Sequence, residues 1–150
     1  MPQTSYACAR PIDILLVDDD EADVLLTVRG LEKQRLHNSL TVANNGWEAL
    51  AMLRGENGFE RIVAPDLIIL DLNMPKLNGR ETLLELKNDE NLKHIPVIVL
   101  TTSESSRDIE ACYQLQASCY LTKPADLTSF QDSLEAVKDF WLSSVRYPQK

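Results

Sequence analysis

Short apolar runs alternate with amphipathic stretches along almost the whole chain. Ile12-Asp13-Ile14-Leu15-Leu16-Val17 is a compact run of β-branched and leucine residues, the pattern of a strand buried on both faces. The acidic string Asp18-Asp19-Asp20-Glu21 follows, and from Ala22 to Lys33 apolar residues recur at Val24, Leu25, Val28 and Leu31. That spacing predicts a helix. Ser39 to Ala43 alternates as a second strand, Asn44-Asn45-Gly46 turns the chain, and a helix is predicted from Trp47 to about Leu53. Gly55 to Pro65 is polar, contains two glycines and reads as an extended loop. Leu67-Ile68-Ile69-Leu70 is a third buried strand, ended by Asp71-Leu72-Asn73-Met74-Pro75.

The second half repeats the alternation. A helix from Gly79 to Lys87 presents Leu83, Leu84 and Leu86, and Ile95 to Leu100 is a fourth strand. Thr101-Thr102-Ser103 carries hydroxyls suited to a loop or helix start, before a helix from about Ser106 to Leu115 and a short fifth strand, Cys119 to Thr122. After Lys123-Pro124 a last helix runs from Leu127 to about Trp141, with Leu127, Phe130, Leu134, Val137 and Trp141 on one face. Five uniformly apolar strands alternating with five helices predict an α/β fold: a (βα)5 doubly wound parallel sheet covered on both sides. Residues 1–150 read as one domain with a core of about 12–141, a short N-terminal arm, a C-terminal tail and no output domain.

This architecture turns positions into a site. Ligands of open parallel sheets bind outside the carboxyl ends of the strands, where strand order reverses. The residues just past those ends are Asp18 and Asp19, Asp71, Thr101 and Lys123. Three carboxylates in one cleft repel, at about 4 kcal/mol for two unit charges ~4 Å apart at an effective dielectric near 20. A hard divalent cation neutralises them, and Mg²⁺ takes one or two carboxylates together with waters and phosphate oxygens. A carboxylate nucleophile, a metal, a lysine and a hydroxyl are the parts needed to form and hold an aspartyl phosphate.

Composition narrows the function classes. The formal net charge of −8 argues against nucleic-acid or anionic-membrane partners, which are held by clusters of Lys and Arg. Cys8, Cys112 and Cys119 match neither a disulfide framework nor a zinc pattern, so reduced thiols and a cytoplasmic location are expected. No apolar run reaches the length of a membrane span, and no signal-peptide pattern opens the chain.

Four strings in order, Leu15-Leu16-Val17-Asp18-Asp19-Asp20, Leu70-Asp71-Leu72-Asn73-Met74-Pro75, Leu100-Thr101-Thr102 and Tyr120-Leu121-Thr122-Lys123-Pro124, resemble the signature of two-component response-regulator receiver domains. The likeness spans about Ile12 to Trp141. Gly79-Arg80-Glu81, Ile95-Pro96-Val97, Leu100-Thr101-Thr102-Ser103, Cys119 to Pro124 and Asp139-Phe140-Trp141-Leu142 further resemble the single-domain regulators of cyanobacterial phytochrome histidine kinases.

The resemblance implies a flavodoxin-like strand order of 2-1-3-4-5. It makes Asp71 the phosphoacceptor, attacking the phosphohistidine of a phytochrome-like sensor kinase. Asp19 and Asp71 would ligate Mg²⁺, Asn73 would add its backbone carbonyl, and Asp18 would act through water. Lys123 would pair with Asp71 and then with phosphoryl oxygens. Thr101 would donate its hydroxyl, moving inward as Tyr120 swings from exposed to buried, and the Lys123-Pro124 bond would be cis. Thr102 stands where many members carry alanine, Ala117-Ser118-Cys119 lacks the glycine common before the tyrosine, and the segment between Asn44 and Leu67 is long. A homodimer is expected through the last two helices and the fifth strand, where Phe140, Trp141, Val145 and Tyr147 add apolar surface.

Plainer readings stand beside these. Asp18 to Glu21 alone could cap a helix, Asp71 could be a turn residue, Thr101 and Thr102 a cap, and Lys123-Pro124 an ordinary loop. Trp47 and Trp141 read as packing residues, and His37 and His94 as surface residues. Competing functions are a small aspartyl-phosphate phosphohydrolase, a flavodoxin-like nucleotide module and a receiver-like scaffold that is never phosphorylated. The first would use a first-strand Asp-x-Asp nucleophile, whereas the candidate here lies on the third strand with Asn73 two residues on, and no cap domain for a substrate is expected. The second lacks a glycine-rich phosphate loop, and Asp18-Asp19-Asp20 would repel a phosphate there. The third is disfavoured by the intact set of Asp18, Asp19, Asp71, Thr101 and Lys123.

Overall fold

The computed structural model describes residues 11–32 and 37–150, with 37 and 38 through their backbone only. Cys8 and the side chain of His37 lie outside the described residues. The elements are β1 (Ile12–Val17), α1 (Glu21–Glu32), β2 (His37–Ala43), α2 (Gly46–Arg54), β3 (Leu67–Leu70), α3 (Gly79–Asn88), β4 (Val97–Thr101), α4 (Ser106–Gln114), β5 (Cys119–Thr122) and α5 (Leu127–Val137). The strands pair in parallel in the order β2-β1-β3-β4-β5. This is the predicted flavodoxin-like order.

Side chains alternate across a strand, and the sheet therefore builds two cores. Leu15, Val17, Ile68, Leu70, Val97 and Val99 pack against Leu50 and Leu53 of α2, Leu83 and Leu86 of α3, and Cys112 of α4. Ile12, Ile14, Leu16, Ile69, Ile98 and Leu100 pack against Leu31 of α1 and Phe130, Leu134 and Val137 of α5. Central strands are buried on both faces, so their runs are continuously apolar rather than alternating.

Two boundaries depart from expectation. The fourth strand begins at Val97 rather than Ile95 and includes Thr101, because the Ile95 amide closes a turn onto the Leu92 carbonyl at 3.1 Å and Pro96 has no N–H to give a ladder. The last α-helix stops at Val137, and the chain continues as a π-wound segment over Lys138–Ser144. The Val145 amide there reaches back five residues to the Phe140 carbonyl at 2.9 Å. This wider winding keeps Leu142 buried and leaves Phe140 exposed, edge-on to Trp141.

Trp47 is not the packing residue expected. Its ring is 43% exposed, with the Lys76 ammonium 5.3 Å from its centre and Phe59 edge-on at 6.2 Å. It stands at the start of α2, whose inward positions are taken by Ala49, Leu50 and Leu53. Trp141 is half-buried against the second core, and His94 is exposed as expected. No helix among the described residues is long and apolar enough to cross a membrane.

Candidate functional site at the carboxyl edge of the sheet

The strand ends are tied to one another before any side chain is considered. The Asp18 amide donates to the Ala43 carbonyl at 3.1 Å, the Asp71 amide to the Val17 carbonyl at 3.0 Å, and the Lys123 amide to the Thr101 carbonyl at 2.6 Å. Asp18, Asp71, Thr101 and Lys123 thus stand on the rigid sheet edge rather than on free loops. Beyond Asp71 the chain leaves the sheet and returns at Asn78, whose side chain accepts from the Glu81 amide at 2.9 Å while Glu81 accepts from the Asn78 amide at 3.0 Å. This reciprocal cap begins α3. Gly79 occupies the closest approach: a Cβ there would stand 2.3 Å from the Asp71 carbonyl oxygen and 2.5 Å from Leu72 Cα.

Carboxylate oxygens of Asp18, Asp19 and Asp71 lie within 4.8 Å of one another. Asp18 and Asp71 are buried, at 2% and 7% exposure, and Asp19 is exposed. Asp18 Oδ1 accepts from the Asp20 amide at 3.0 Å and Asp71 Oδ1 from the Leu72 amide at 2.8 Å. The Lys123 ammonium is itself buried. It lies 2.8 Å from Asp18 Oδ2, 3.0 Å from Asp23 Oδ2 and 3.7 Å from Asp71 Oδ2. Burial drives the Asp18 carboxyl above the usual carboxylate range, against the opposing pull of the Lys123 bond and the Asp20 amide. Burial alone would lower the Lys123 ammonium, but its bond to Asp18 and the charges of Asp71 and Asp18 more than offset it, so its pKa is raised.

Three carboxyl groups therefore face one ammonium, with Asp19 beside two of them, and a divalent cation suits what remains. A Mg²⁺ ion with ligands at about 2.0–2.1 Å holds oxygens roughly 3–4 Å apart, which the three aspartates reach with small side-chain adjustments. Asn73 is exposed two residues past Asp71, on the same loop. On the other side, Val24, Leu25 and Val28 of α1 join Asp18, Asp19, Glu21 and Asn44 around a groove of about 350 Å³.

The hydroxyl side of the site is closed. Thr101 is fully buried, and its Oγ1 takes a long 3.5 Å contact from the Ser103 amide. The Tyr120 hydroxyl donates to the Ser103 carbonyl at 2.9 Å with the ring half-buried. Ser103 Oγ donates to Asp108 Oδ2 at 2.6 Å, and Arg80 Nη1 stands 3.4 Å from Asp108 Oδ1. Thr102 points to solvent and Pro124 is half-buried.

Several expectations change. Lys123 pairs with Asp71 as an ion pair at 3.7 Å but gives its hydrogen bonds to others: Asp18 is the more deeply buried carboxylate, where an unpaired charge costs more, and Asp23 takes a second donor. Asp23 and Ser103 were missed. Asp23 sits in an acidic helix start that carries no mark of a lysine a hundred residues away, whereas Ser103, two residues past Thr101, lay within reach of a closer reading. The plain helix-cap reading holds for Asp20, whose Oδ1 accepts from the Asp23 amide at 3.0 Å, but not for Asp18. No cis peptide bond occurs among the described residues, so Lys123–Pro124 is trans rather than cis, the isomer X–Pro bonds favour by about 0.5–1 kcal/mol.

Residues 14–135 match the family model described as "Response regulator receiver domain". The chain is 41% identical over 138 residues to response regulator Rcp1 of Synechocystis sp., covering 92% of this chain and 94% of that one. The crystal structure of the Mn²⁺-bound form of Rcp1 superposes with a TM-score of 0.88 at 40% identity, over 93% of this chain and all of the other. The crystal structure of the phosphorylated cyanobacterial phytochrome response regulator RcpA gives a TM-score of 0.87 at 40% identity, over 93% of this chain and 99% of that one.

Proposed function

This chain belongs to the response regulator receiver family and is a two-component response regulator, and on that premise we propose that Asp71 is the residue that accepts the phosphoryl group. The observation that carries this reading is the placement of Asp71. It is a buried carboxylate at the end of a central strand, with Asp18 and Asp19 oxygens within 4.8 Å and the Lys123 ammonium 3.7 Å away.

In the transfer, an Asp71 carboxylate oxygen forms a bond to phosphorus as the P–N bond of a phosphohistidine breaks. The electron pair returns to the imidazole nitrogen, which takes a proton from solvent. Asp71 Oδ1 is oriented by the Leu72 amide, leaving Oδ2 on the Lys123 side for the reacting position. Lys123 supplies positive charge to the phosphoryl oxygens, and the Thr101 hydroxyl donates to one of them. Tyr120, joined to the Thr101–Ser103 segment through the Ser103 carbonyl, carries the change to the surface of β5, with Thr102 and Pro124 shaping the rim. Asp18, Asp19, Asp71 and the Asn73 backbone carbonyl would hold a divalent cation, Mg²⁺ in the cell. Such an ion neutralises phosphoryl charge when bound.

The donor we infer is a phytochrome-type sensor histidine kinase, supported by the likeness to Rcp1 and to the regulator named for cyanobacterial phytochrome. We read residues 1–150 as one cytoplasmic receiver domain that catalyses its own phosphorylation and dephosphorylation without turning over an external substrate. Output is a changed protein–protein affinity. A homodimer through α4, β5 and α5 is supported by the exposure of Tyr113 in α4, Leu127 at the start of α5 and Phe140 just beyond it. Light scattering across a concentration series is expected to show dimer, and monomer at every concentration, with and without phosphorylation, removes that part.

The deciding test is intact-protein mass spectrometry after incubation with acetyl phosphate. A gain of one phosphoryl group with Mg²⁺, absent with EDTA and absent in Asp71→Asn, is the expected result. An equal gain in Asp71→Asn overturns the assignment. Phosphotransfer from a purified phytochrome kinase, compared with a non-phytochrome kinase, tests the donor.

A further inference from the structure

Lys123 hydrogen-bonds two carboxylates, and the proposed phosphoacceptor holds it only through a longer ion pair. Its Nζ is 2.8 Å from Asp18 Oδ2 and 3.0 Å from Asp23 Oδ2, with Asp71 Oδ2 at 3.7 Å. Asp18 belongs to the metal-holding trio. Asp23 does not. It lies in the first turn of α1, and its amide is held by Asp20 Oδ1 at 3.0 Å, so its carboxylate is presented from a fixed helix end. An ammonium has three donor hydrogens, and two of them are engaged by Asp18 and Asp23 rather than by Asp71.

Resting on the reading of Asp71 as phosphoacceptor, we propose that Asp23 is a positioning residue that withholds Lys123 from Asp71, so that competition between Asp23 and the phosphoryl group for this one ammonium sets how tightly the site holds that group. A phosphoryl group adds anionic acceptor oxygens beside Asp71. Lys123 meets them by loosening its bond to Asp23, and the interaction lost there is subtracted from the affinity gained. The same exchange frees the first turn of α1, which carries Val24 and Leu25 on the wall of the groove beside Asp18 and Asp19. The state of Asp71 thereby reaches the surface of α1.

The test titrates beryllium fluoride, a phosphoryl analogue that coordinates a carboxylate, at saturating Mg²⁺, with bound fluoride followed by ¹⁹F NMR. Asp23→Asn is expected to bind about tenfold more tightly, the size of one charge-assisted hydrogen bond. Asp23→Glu, which restores the charge, is expected to stay within about twofold of wild type. Glu21→Gln removes a neighbouring exposed carboxylate of the same helix turn and serves as the control for bulk charge. No tightening in Asp23→Asn, or equal tightening in Glu21→Gln, overturns the inference. In wild type, which needs no variant to fold, the Asp23 carboxyl ¹³C resonance is expected to shift when the analogue saturates Asp71, and an unmoved resonance also overturns it. Should wild type take up neither the analogue nor a phosphoryl group from acetyl phosphate, the phosphoacceptor reading has failed and the inference falls with it.

Discussion

Gly79 shows how little room separates the Asp71 loop from α3. A methyl group there would press on the Asp71 carbonyl oxygen and Leu72 Cα, both backbone atoms, so the clash cannot be relieved by a side-chain rotation. Gly79→Ala is expected to lower stability by about 1–3 kcal/mol, the range for overpacking a filled interior, read as the shift in a urea unfolding curve. An unchanged midpoint would show that the loop yields. Cys112 makes a second prediction. Burial pushes its thiol up to about 11, above the ordinary value near 8.5–9. A folded-state pKa raised in this way gives stability that is complete below the unfolded value and is lost as pH rises through the folded one. Stability should therefore fall between about pH 9 and 11, and fall less in Cys112→Ala, as followed by thermal melts at each pH. Equal slopes for the two proteins would remove Cys112 as the cause. The residues visible from the chain alone were those that end an apolar run: Asp18, Asp71, Thr101 and Lys123. Which carboxylate each cation chooses was not visible, because it depends on burial and on distances across a hundred residues, as with Lys123 and Asp23.

At the scale of elements, the loop from Asp71 to Asn78 is bracketed by a strand end and a helix cap. Removing the cap by Asn78→Ala leaves the Glu81 amide without its partner and should cost about 1 kcal/mol. Thermal unfolding measures it, and a loss below a few tenths would mean that water or another group replaces the cap. Every strand and helix was legible in the hydrophobic pattern, since short continuous apolar runs and the 3.6-residue helical spacing separate cleanly here. The π-wound end was not, although a trace of it exists. Val137 and Leu142 are five apart and both buried, whereas an α-helix would set them about 140° apart around its axis. Only packing against the second core reveals that both must face inward.

For the molecule as a whole, a cation that binds the folded site and not the unfolded chain stabilises by mass action. At a hundred times its dissociation constant the gain is about 2.7 kcal/mol, which for a chain of this length raises Tm by roughly 5–10 °C. Mg²⁺ is expected to produce that rise, EDTA to reverse it, and Asp19→Asn to abolish most of it. A Tm indifferent to Mg²⁺ would remove the trio as a metal site. The two tryptophans then acquire an optical meaning. Trp47 lies under Lys76 in the loop that follows Asp71, while Trp141 lies against the opposite core of the sheet. A charge held over an indole alters its emission, so any displacement of the Asp71 loop that carries Lys76 off the ring is written into the light Trp47 gives out. The protein holds one built-in lamp against the Asp71 loop and a second behind the sheet, beside the surface proposed for its dimer.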